Sequence, residues 1–356
     1  MIRWRSGTVT ALRREWRGAA EIIVTVDGSD VRALAYPALV GLPRPGDRVL
    51  LNTTALDLGL GTGGYAFVVA IPDRLPADAE LTGHIVKARY TPLQVTLGSA
   101  DEQDSPHHEI LRDADSLDGM PVVVADLHSA LPAIIAGLSR TTIPFRVVYI
   151  MTDGGALPAW FSRAVAGLRE ADWLAGTVTT GQSFGGDLEA VTLHSGLLAA
   201  RHVLHADAAI VTQGPGNLGT GTRWGYSGVA AGEAVNAAAA LGGRPVASLR
   251  LSDADARDRH RGVSHHSLTA YGRVALAAAD VVVPDLPGPL GARIAADAAP
   301  LGNRHRLVTV PVDGLEAALR ACPVRLSTMG RGLDEDLGYF LAAAAAGRHA
   351  AGLLAP

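Results

Sequence analysis

The chain has 356 residues, 48% of them hydrophobic, and a formal net charge of -4; that is enough apolar matter for a sizeable core and two domains, and it excludes a mainly disordered chain. The slightly acidic balance brings no general attraction to nucleic acid or to anionic membranes. Lys87 is the only lysine and Cys322 the only cysteine, which removes the lysine of an ATP-binding P-loop, any intramolecular disulfide and any cysteine-ligated zinc or iron–sulfur centre.

The opening MIRWRSGTVT has arginines but no apolar stretch of signal-peptide type. No apolar run approaches the roughly 18 residues of a membrane span. The expectation is a cytoplasmic protein without membrane contact. Residues 1–75 read as a small β-rich module. GTVTAL, EIIVTVDG, DVRALAYP, DRVLLNT and YAFVVAIP are short β-branched segments separated by turn signals such as Asp27-Gly28 and Pro45-Gly46-Asp47. This spacing suits a small barrel or compact antiparallel sheet. Its nine arginines face seven acids, so a structural or oligomerising role, in a homo-oligomer, is preferred to nucleic-acid binding.

Residues 76–119 form a connecting segment. Its second half, ADEQDSPHHEILRDADSLDG, is acidic and rich in turn formers, and His107 and His108 within it read as solvated. Residues 120–356 alternate strand and helix. PVVVAD, FRVVYIM, AAIVTQG, PVASLRL, DVVVPD, RLVTVPV and VRLSTMG lack strict alternation, as strands buried on both faces do. Ala-rich helical stretches such as SALPAIIAGLSR and SGVAAGEAVNAAAALGG separate them. The expected fold is α/β, a mostly parallel doubly wound sheet preceded by the β-barrel-like module. GTVTTGQSFGGDLEAVTL (176–193) reads as a strand with a loop, a hairpin, or one more βα unit. Counted as the last, it makes about eight units and leaves a TIM-like barrel as the alternative.

Parallel α/β sheets bind ligands beyond the C-terminal ends of their strands, and those ends are polar and Gly-rich here. They carry Leu127-His128, Thr152-Asp153-Gly154-Gly155, Gln182, Gly185-Gly186-Asp187, Ser252-Asp253-Ala254-Asp255 and Asp285-Leu286-Pro287-Gly288. The longest such loop is TQGPGNLGTGTRWGYSG, from Thr212 to Gly228. Gly214, Gly216 and Gly219 match the G-x-G-x-x-G of dinucleotide sites, but helical periodicity resumes only near Ser227. The ribose-binding acid of that motif belongs about 20 residues on, whereas Asp253 stands 34 beyond Gly219, and Pro215 is a further mismatch. NAD binding is therefore disfavoured. The glycines instead let backbone N–H groups converge on an anion. Gln213, Asn217, Thr220, Thr222, Arg223 and Ser227 add polar donors and a fixed positive charge.

A second stretch, ARDRHRGVSHHSLTA (256–270), brings three arginines and three histidines to the entry of a helix with Ser264 or Ser267 as N-cap. The positive end of the helix dipole favours neutral imidazole at His265 and His266, and one of the pair is expected to face the cleft. His260 reads as solvated. Asp153 sits where a strand-end carboxylate acts as base or cation ligand. Asp187 and Glu189 could do likewise, or could simply stabilise the first turn of a helix. His128 follows the first strand of the sheet. A metal site from Asp153, His128 and His265 or His266 is conceivable, although no H-x-x-x-H spacing supports it. Asp334, Glu335 and Asp336 read as the acidic first turn of a closing helix.

The motifs FGGDLEAVTLHSGLLAA, GPGNLGTGT and RHRGVSHHSLTAYG together resemble an uncharacterised bacterial family, domain of unknown function 3866, across the whole chain. The resemblance implies one natural unit and carries no activity, cofactor or catalytic residue to any position.

The functional expectation is an enzyme, a hydrolase, lyase or transferase, acting on a small phosphorylated or carboxylate metabolite in a cleft at the C-terminal sheet edge. Asp153, His265, His266 and His128 are the candidate acid–base residues. Gly154, Gln182, Asp187, Gln213, Gly214, Gly216, Asn217, Gly219, Thr220, Thr222, Arg223, Ser227 and Asp253 are the candidate ligand contacts. The cofactor is open. The alternative is a non-catalytic small-molecule-binding or regulatory protein whose β module mediates assembly or nucleic-acid contact.

Overall fold

A computed structural model describes residues 1–61, 63–80, 82–138 and 145–354. Strands β1 (Trp4–Trp16), β2 (Ala19–Val26), β3 (Ser29–Ala35), β4 (Arg48–Asn52) and β5 (Ala66–Ala70) close into a barrel in the order β1-β2-β3-β5-β4. β4 returns to pair with β1, and β3 and β5 run parallel, so the barrel is a Greek key of the OB type. The β2–β3 turn is made by Asp27 and Gly28, both at positive φ, as a tight hairpin turn requires. Alternate residues point inward, and Val9, Ile22, Val24, Ala33, Val49, Leu51 and Val68 fill the interior.

A short hairpin, β6 (Ile85–Lys87) and β7 (Val95–Leu97), leads into the second module. Its strands are β8 (Pro121–Val124), β9 (Val147–Thr152), β10 (Gly176–Thr180), β11 (Leu188–Ala190), β12 (Ala208–Gln213), β13 (Arg244–Ser248), β14 (Asp280–Asp285) and β15 (Arg306–Pro311). They form an 8-stranded sheet in the order β11-β10-β9-β12-β8-β13-β14-β15, parallel throughout. Helices α1 (Leu131–Leu138), α2 (Arg163–Glu170), α7 (Leu315–Arg320) and α8 (Leu337–Leu354) cover one face. The opposite face carries α3 (Leu193–His202), α4 (Ala230–Ala240), α5 (His265–Thr269) and α6 (Gly288–Ala298). The sheet is open and doubly wound, not a TIM-like barrel. The Ala-rich α8 lies almost wholly buried against α1. Their backbones approach so closely that a Cβ on Gly137 would collide with the Ala344 carbonyl, and one on Gly347 with that of Ile134. Residues 139–140, which close the SALPAIIAGLSR stretch, lie outside the described residues.

Residues 176–193 become two adjacent parallel strands, β10 and β11, joined by the loop 181–187 with no helix between them. Asp187 and Glu189 therefore do not open a helix. Asp187 accepts from the Thr177 backbone N–H and hydroxyl (2.7 and 2.8 Å) and pairs with Arg17 of the barrel at 2.6 Å. Glu189 is buried and faces Lys87 at 3.4 Å. Asp334 and its two neighbours precede α8, which starts at Leu337. Asp336 is buried and accepts from Ser252 and Arg331.

The barrel docks on the loops beyond β9 and β10. Trp16 donates its indole N–H to the Trp160 carbonyl (2.7 Å), and the Trp160 ring meets Tyr36 of the barrel and Phe184 of the loop 181–187. Among the described residues no helix is long and apolar enough to cross a membrane.

Candidate functional site

The crossovers fix where a site can form. From β8 the chain runs over the α1 face to β9, then over α2 to β10. From β12 it runs over the α4 face to β13, then past α5 to β14. Loops therefore diverge at the β8/β13 crevice and again at the β9/β12 crevice, and such switch points leave open space above the strand ends.

Asp126 lies two residues beyond β8 and Arg250 two beyond β13, so the pair stands at the first crevice. Both are buried, and Arg250 lies 3.7 Å from Asp126 Oδ2. Gln213 ends β12 at the second crevice and donates Nε2–H to the Asp126 carbonyl (2.7 Å). Gly154, at the end of β9, has no side chain because Gln213 Oε1 and Ser227 fill that space. Ser227 donates to Asn217 Oδ1 (3.0 Å) and accepts the Leu218 N–H (3.0 Å). A Cβ on Gly228 would meet both Asp126 and Asn217. Gly154, Gln213, Asn217 and Ser227, all expected ligand contacts, are thus brought together around Asp126.

The Gly-rich stretch is a hairpin flap. Gly219 bridges Tyr226, and Thr220 N–H donates to the Gly225 carbonyl (2.7 Å). Gly216 and Gly221 sit at positive φ, and the Gly214 carbonyl would be struck by a Cβ on Gly155. Thr220 and Thr222 bond each other at the exposed tip (3.1 Å), where Arg223 is also exposed. A Cβ on Gly221 would come 3.8 Å from the Arg259 guanidinium, so the tip leans toward the histidine-rich segment. At the flap's base, Tyr226 stacks on His266 (3.7 Å between centroids, 5° between planes) and donates to its carbonyl (2.7 Å).

His260, His265 and His266 each offer a ring nitrogen, and these lie within 4.8 Å of one another. The ladder pairing Leu251–Ser252 with Gly262–Val263 folds His260 back onto the helix entry. There His260 is buried, not solvated. Ser264 is the N-cap, accepting the His266 N–H (3.2 Å) and sitting 2.8 Å from His260 Nδ1. Arg250 donates to His266 Nδ1 (3.0 Å), and Asp126 Oδ2 is 3.7 Å from the same nitrogen. Burial, reinforced by nearby positive charge, lowers His260 to about 3. Burial, with His266 and the guanidinium groups beside it, lowers His265 to about 4. Both are neutral imidazoles at physiological pH. Arg257 grips Asp255 with two bonds of 2.9 Å, which holds that carboxyl well below its usual range.

A family model described as a protein of unknown function (DUF3866) matches residues 32–347. The chain belongs to that family. None of the curated proteins matches it. The matched span begins in β3 and takes in the sheet, the flap and the histidine cluster.

The other expected residues lie elsewhere in this edge. His128 lines a cleft of ≈ 250 Å³ with Gln213, Gly214, Gly216, Asn217 and Arg325 among others. Both its nitrogens are engaged, by Tyr149 Oη (2.9 Å) and Ser162 Oγ (2.7 Å), and burial lowers it to about 4. Asp153 accepts the Gln182 N–H (2.9 Å), and Gln182 Oε1 accepts the Arg89 N–H (3.1 Å), which ties the β9 end to the β6–β7 hairpin. Asp253 is exposed. Sequence reasoning missed Asp126, Arg250, Tyr226 and the burial of His260. The available signal was position: Asp126 and Arg250 directly follow the two apolar runs that become central strands.

Proposed function

We propose that the chain is an enzyme acting on a small anionic metabolite, phosphorylated or carboxylate, held between the flap and the 250–269 segment. One observation carries the reading. Among the described residues, six buried side-chain polar atoms lack a hydrogen-bond partner, and four of them are Asp126 Oδ2, Gln213 Oε1, Asn217 Nδ2 and His265 Nε2. Folded proteins partner nearly all buried polar groups, and leaving one alone costs about 1–3 kcal/mol. Four such groups on one sheet edge, at the switch points where ligands bind, are capacity kept for a ligand.

Arg259, near the flap tip, favours an anion. The neutral imidazole of His265 and the side chains of His266 and Asp126 are the candidate acid–base groups. In this reading His128 and Asp153 hold the strand ends in place.

The test is a thermal-shift and turnover screen of phosphorylated and carboxylate metabolites on the full chain. One class should stabilise the protein and be converted, with both effects reduced in Asp126→Asn and in the part-exposed His265→Gln. A stabilising ligand recovered unchanged after long incubation would make the protein a binding module instead. A shift indifferent to both substitutions would move the site elsewhere.

A further inference from the structure

Three histidines with nitrogens this close call for an explanation of their own. Neutral imidazoles can each turn one lone pair toward a common point, and a divalent ion is the partner that uses all three at once. Nitrogens bound to one tetrahedral zinc at about 2.0–2.1 Å stand about 3.3 Å apart, so a spread of 4.8 Å closes by modest ring rotation. His265 is the half-exposed member of the three.

We infer that His260, His265 and His266 form a binding site for a divalent transition-metal ion of the zinc class, with Asp126 as the carboxylate that orients His266. Three further observations support it. Ligating histidines anchor their second nitrogen on a carboxylate, carbonyl or hydroxyl. His260 Nδ1 has Ser264 Oγ at 2.8 Å, which leaves Nε2 for an ion. His266 Nδ1 has Asp126 Oδ2 at 3.7 Å, and that oxygen is buried with no hydrogen-bond partner. Moving the His266 Nδ1 partner from Arg250 to Asp126 frees its Nε2 lone pair, while Arg250 stays paired with the same carboxylate. His265 Nε2 is itself buried and unpartnered. An all-imidazole donor set selects zinc, cobalt, nickel or copper over magnesium or calcium, which require oxygen ligands. The nearby arginines do not forbid the ion, because Asp126 balances Arg250 and Asp255 balances Arg257.

Three neutral ligands leave the ion's charge uncompensated and a coordination position open, the pattern of catalytic sites. The anionic group of the substrate in the reading above would be drawn to that position; to that extent the inference rests on it and names what the cluster adds.

The test uses chelator-treated full-length protein titrated with Zn²⁺ and Co²⁺, with metal content measured after desalting and Co²⁺ d–d absorption as the signature of nitrogen coordination. One equivalent per chain is expected. His265→Ala should abolish stoichiometric binding, and Asp126→Asn should weaken it by roughly 10–100-fold. The exposed His194→Ala should bind as wild type does. Far-UV circular dichroism of each variant separates lost binding from lost folding, and His265→Gln serves if His265→Ala unfolds. Absence of stoichiometric metal in the folded wild type, or full binding by folded His265 variants, overturns the inference. Inorganic phosphate added to metal-free protein gives the other arm. A phosphate-induced shift that needs His265, with no metal bound, makes the cluster an anion site: the metal assignment falls and the anion reading stands. Stoichiometric metal with no response to any anion has the opposite meaning.

Discussion

His128 gives the sharpest quantitative prediction, because its surroundings specify a protonation state. Ser162 Oγ accepts the Val165 N–H (3.1 Å) as N-cap of α2 and has its own proton to give, so it donates to His128 Nε2. His128 Nδ1–H then donates to Tyr149 Oη, which passes its proton toward Thr212 Oγ1 (3.0 Å), and Thr212 donates to the Gln213 carbonyl (2.8 Å). Every proton in the chain is used once, and a second proton on the imidazole would break it. Burial accordingly lowers His128 from 6.5 to about 4. The folded pKa is depressed, so the unfolded chain takes the proton first as pH falls. The stability involved is fully present above about pH 6.5 and is lost progressively down to about pH 4, below which the folded state protonates too. Each pH unit costs about 1.4 kcal/mol, and some residual solvent contact at the ring holds the total to roughly 2–3 kcal/mol. His128→Gln loses the network at every pH, but it should also flatten the pH dependence of stability between 6.5 and 4 by one proton. Urea denaturation at four pH values, followed by tryptophan fluorescence, reads that difference, and ¹³C-histidine spectra read the ring directly. A wild-type slope in His128→Gln, or a His128 resonance titrating near 6.5, would refute the reasoning.

Three other perturbations have definite expected outcomes. Lys87→Met leaves Glu189 buried without its cation and should destabilise by about 3–5 kcal/mol; a wild-type melting temperature would show that the pair carries no weight. Gly155→Ala drives a Cβ into the Gly214 carbonyl, so it should cost about 1–3 kcal/mol and weaken ligand-induced thermal shifts by displacing the flap's root; unaltered stability would mean that the two loops separate freely. Trp160→Ala removes the ring packed against Gly18 and Tyr36 and should cost about 3–5 kcal/mol, with limited proteolysis cutting between barrel and sheet before either module; an unchanged cleavage pattern would argue against this docking.

The strands were legible because burial leaves a pattern: β-branched alternation in the barrel and unbroken apolar runs in the parallel sheet. There were two exceptions: VRLSTMG is no strand of the sheet, only Ser327–Thr328 pairing, antiparallel with Arg331–Gly332, and 176–193 was ambiguous, since a parallel pair normally needs a helix to bring the chain back. Here the loop 181–187 does so alone, held by Asp187 on Thr177, and that contact has no signature along the chain. The candidate site was half legible. Strand-end loops announce a sheet edge, which placed Gln213, Asn217, Ser227 and Gly154. His265 stood out through its helix cap. His260 did not, because its approach depends on the two-residue ladder 251–252 with 262–263, too short to impose periodicity. Asp126 and Arg250 acquire meaning only as a pair, and they come from strands far apart in the chain.

Two ion pairs, Lys87–Glu189 and Arg250–Asp126, are equally buried but differ in how fully their hydrogen bonds are filled. Around Lys87 and Glu189 the hydrogen bonds are filled. Lys87 donates to the Ser183 and Ala190 carbonyls (2.8 and 3.2 Å), while Glu189 accepts from Thr179 (2.7 Å) and from the Gly185 N–H (2.7 Å). Such a pair repays its desolvation through geometry and pins the β6–β7 hairpin to edge strand β11. Asp126 and Arg250 are as deeply buried, yet they stand 3.7 Å apart, and Asp126 Oδ2 makes no hydrogen bond at all. Arg250 directs Nη1 at His266 Nδ1 instead. As a device for stability this arrangement is poor, since an under-satisfied buried carboxylate costs more than a hydrophobic replacement would. Under the proposed metal site the carboxylate stays free to act on His266, and a ligand bound beside the cluster would complete the network that folding leaves open.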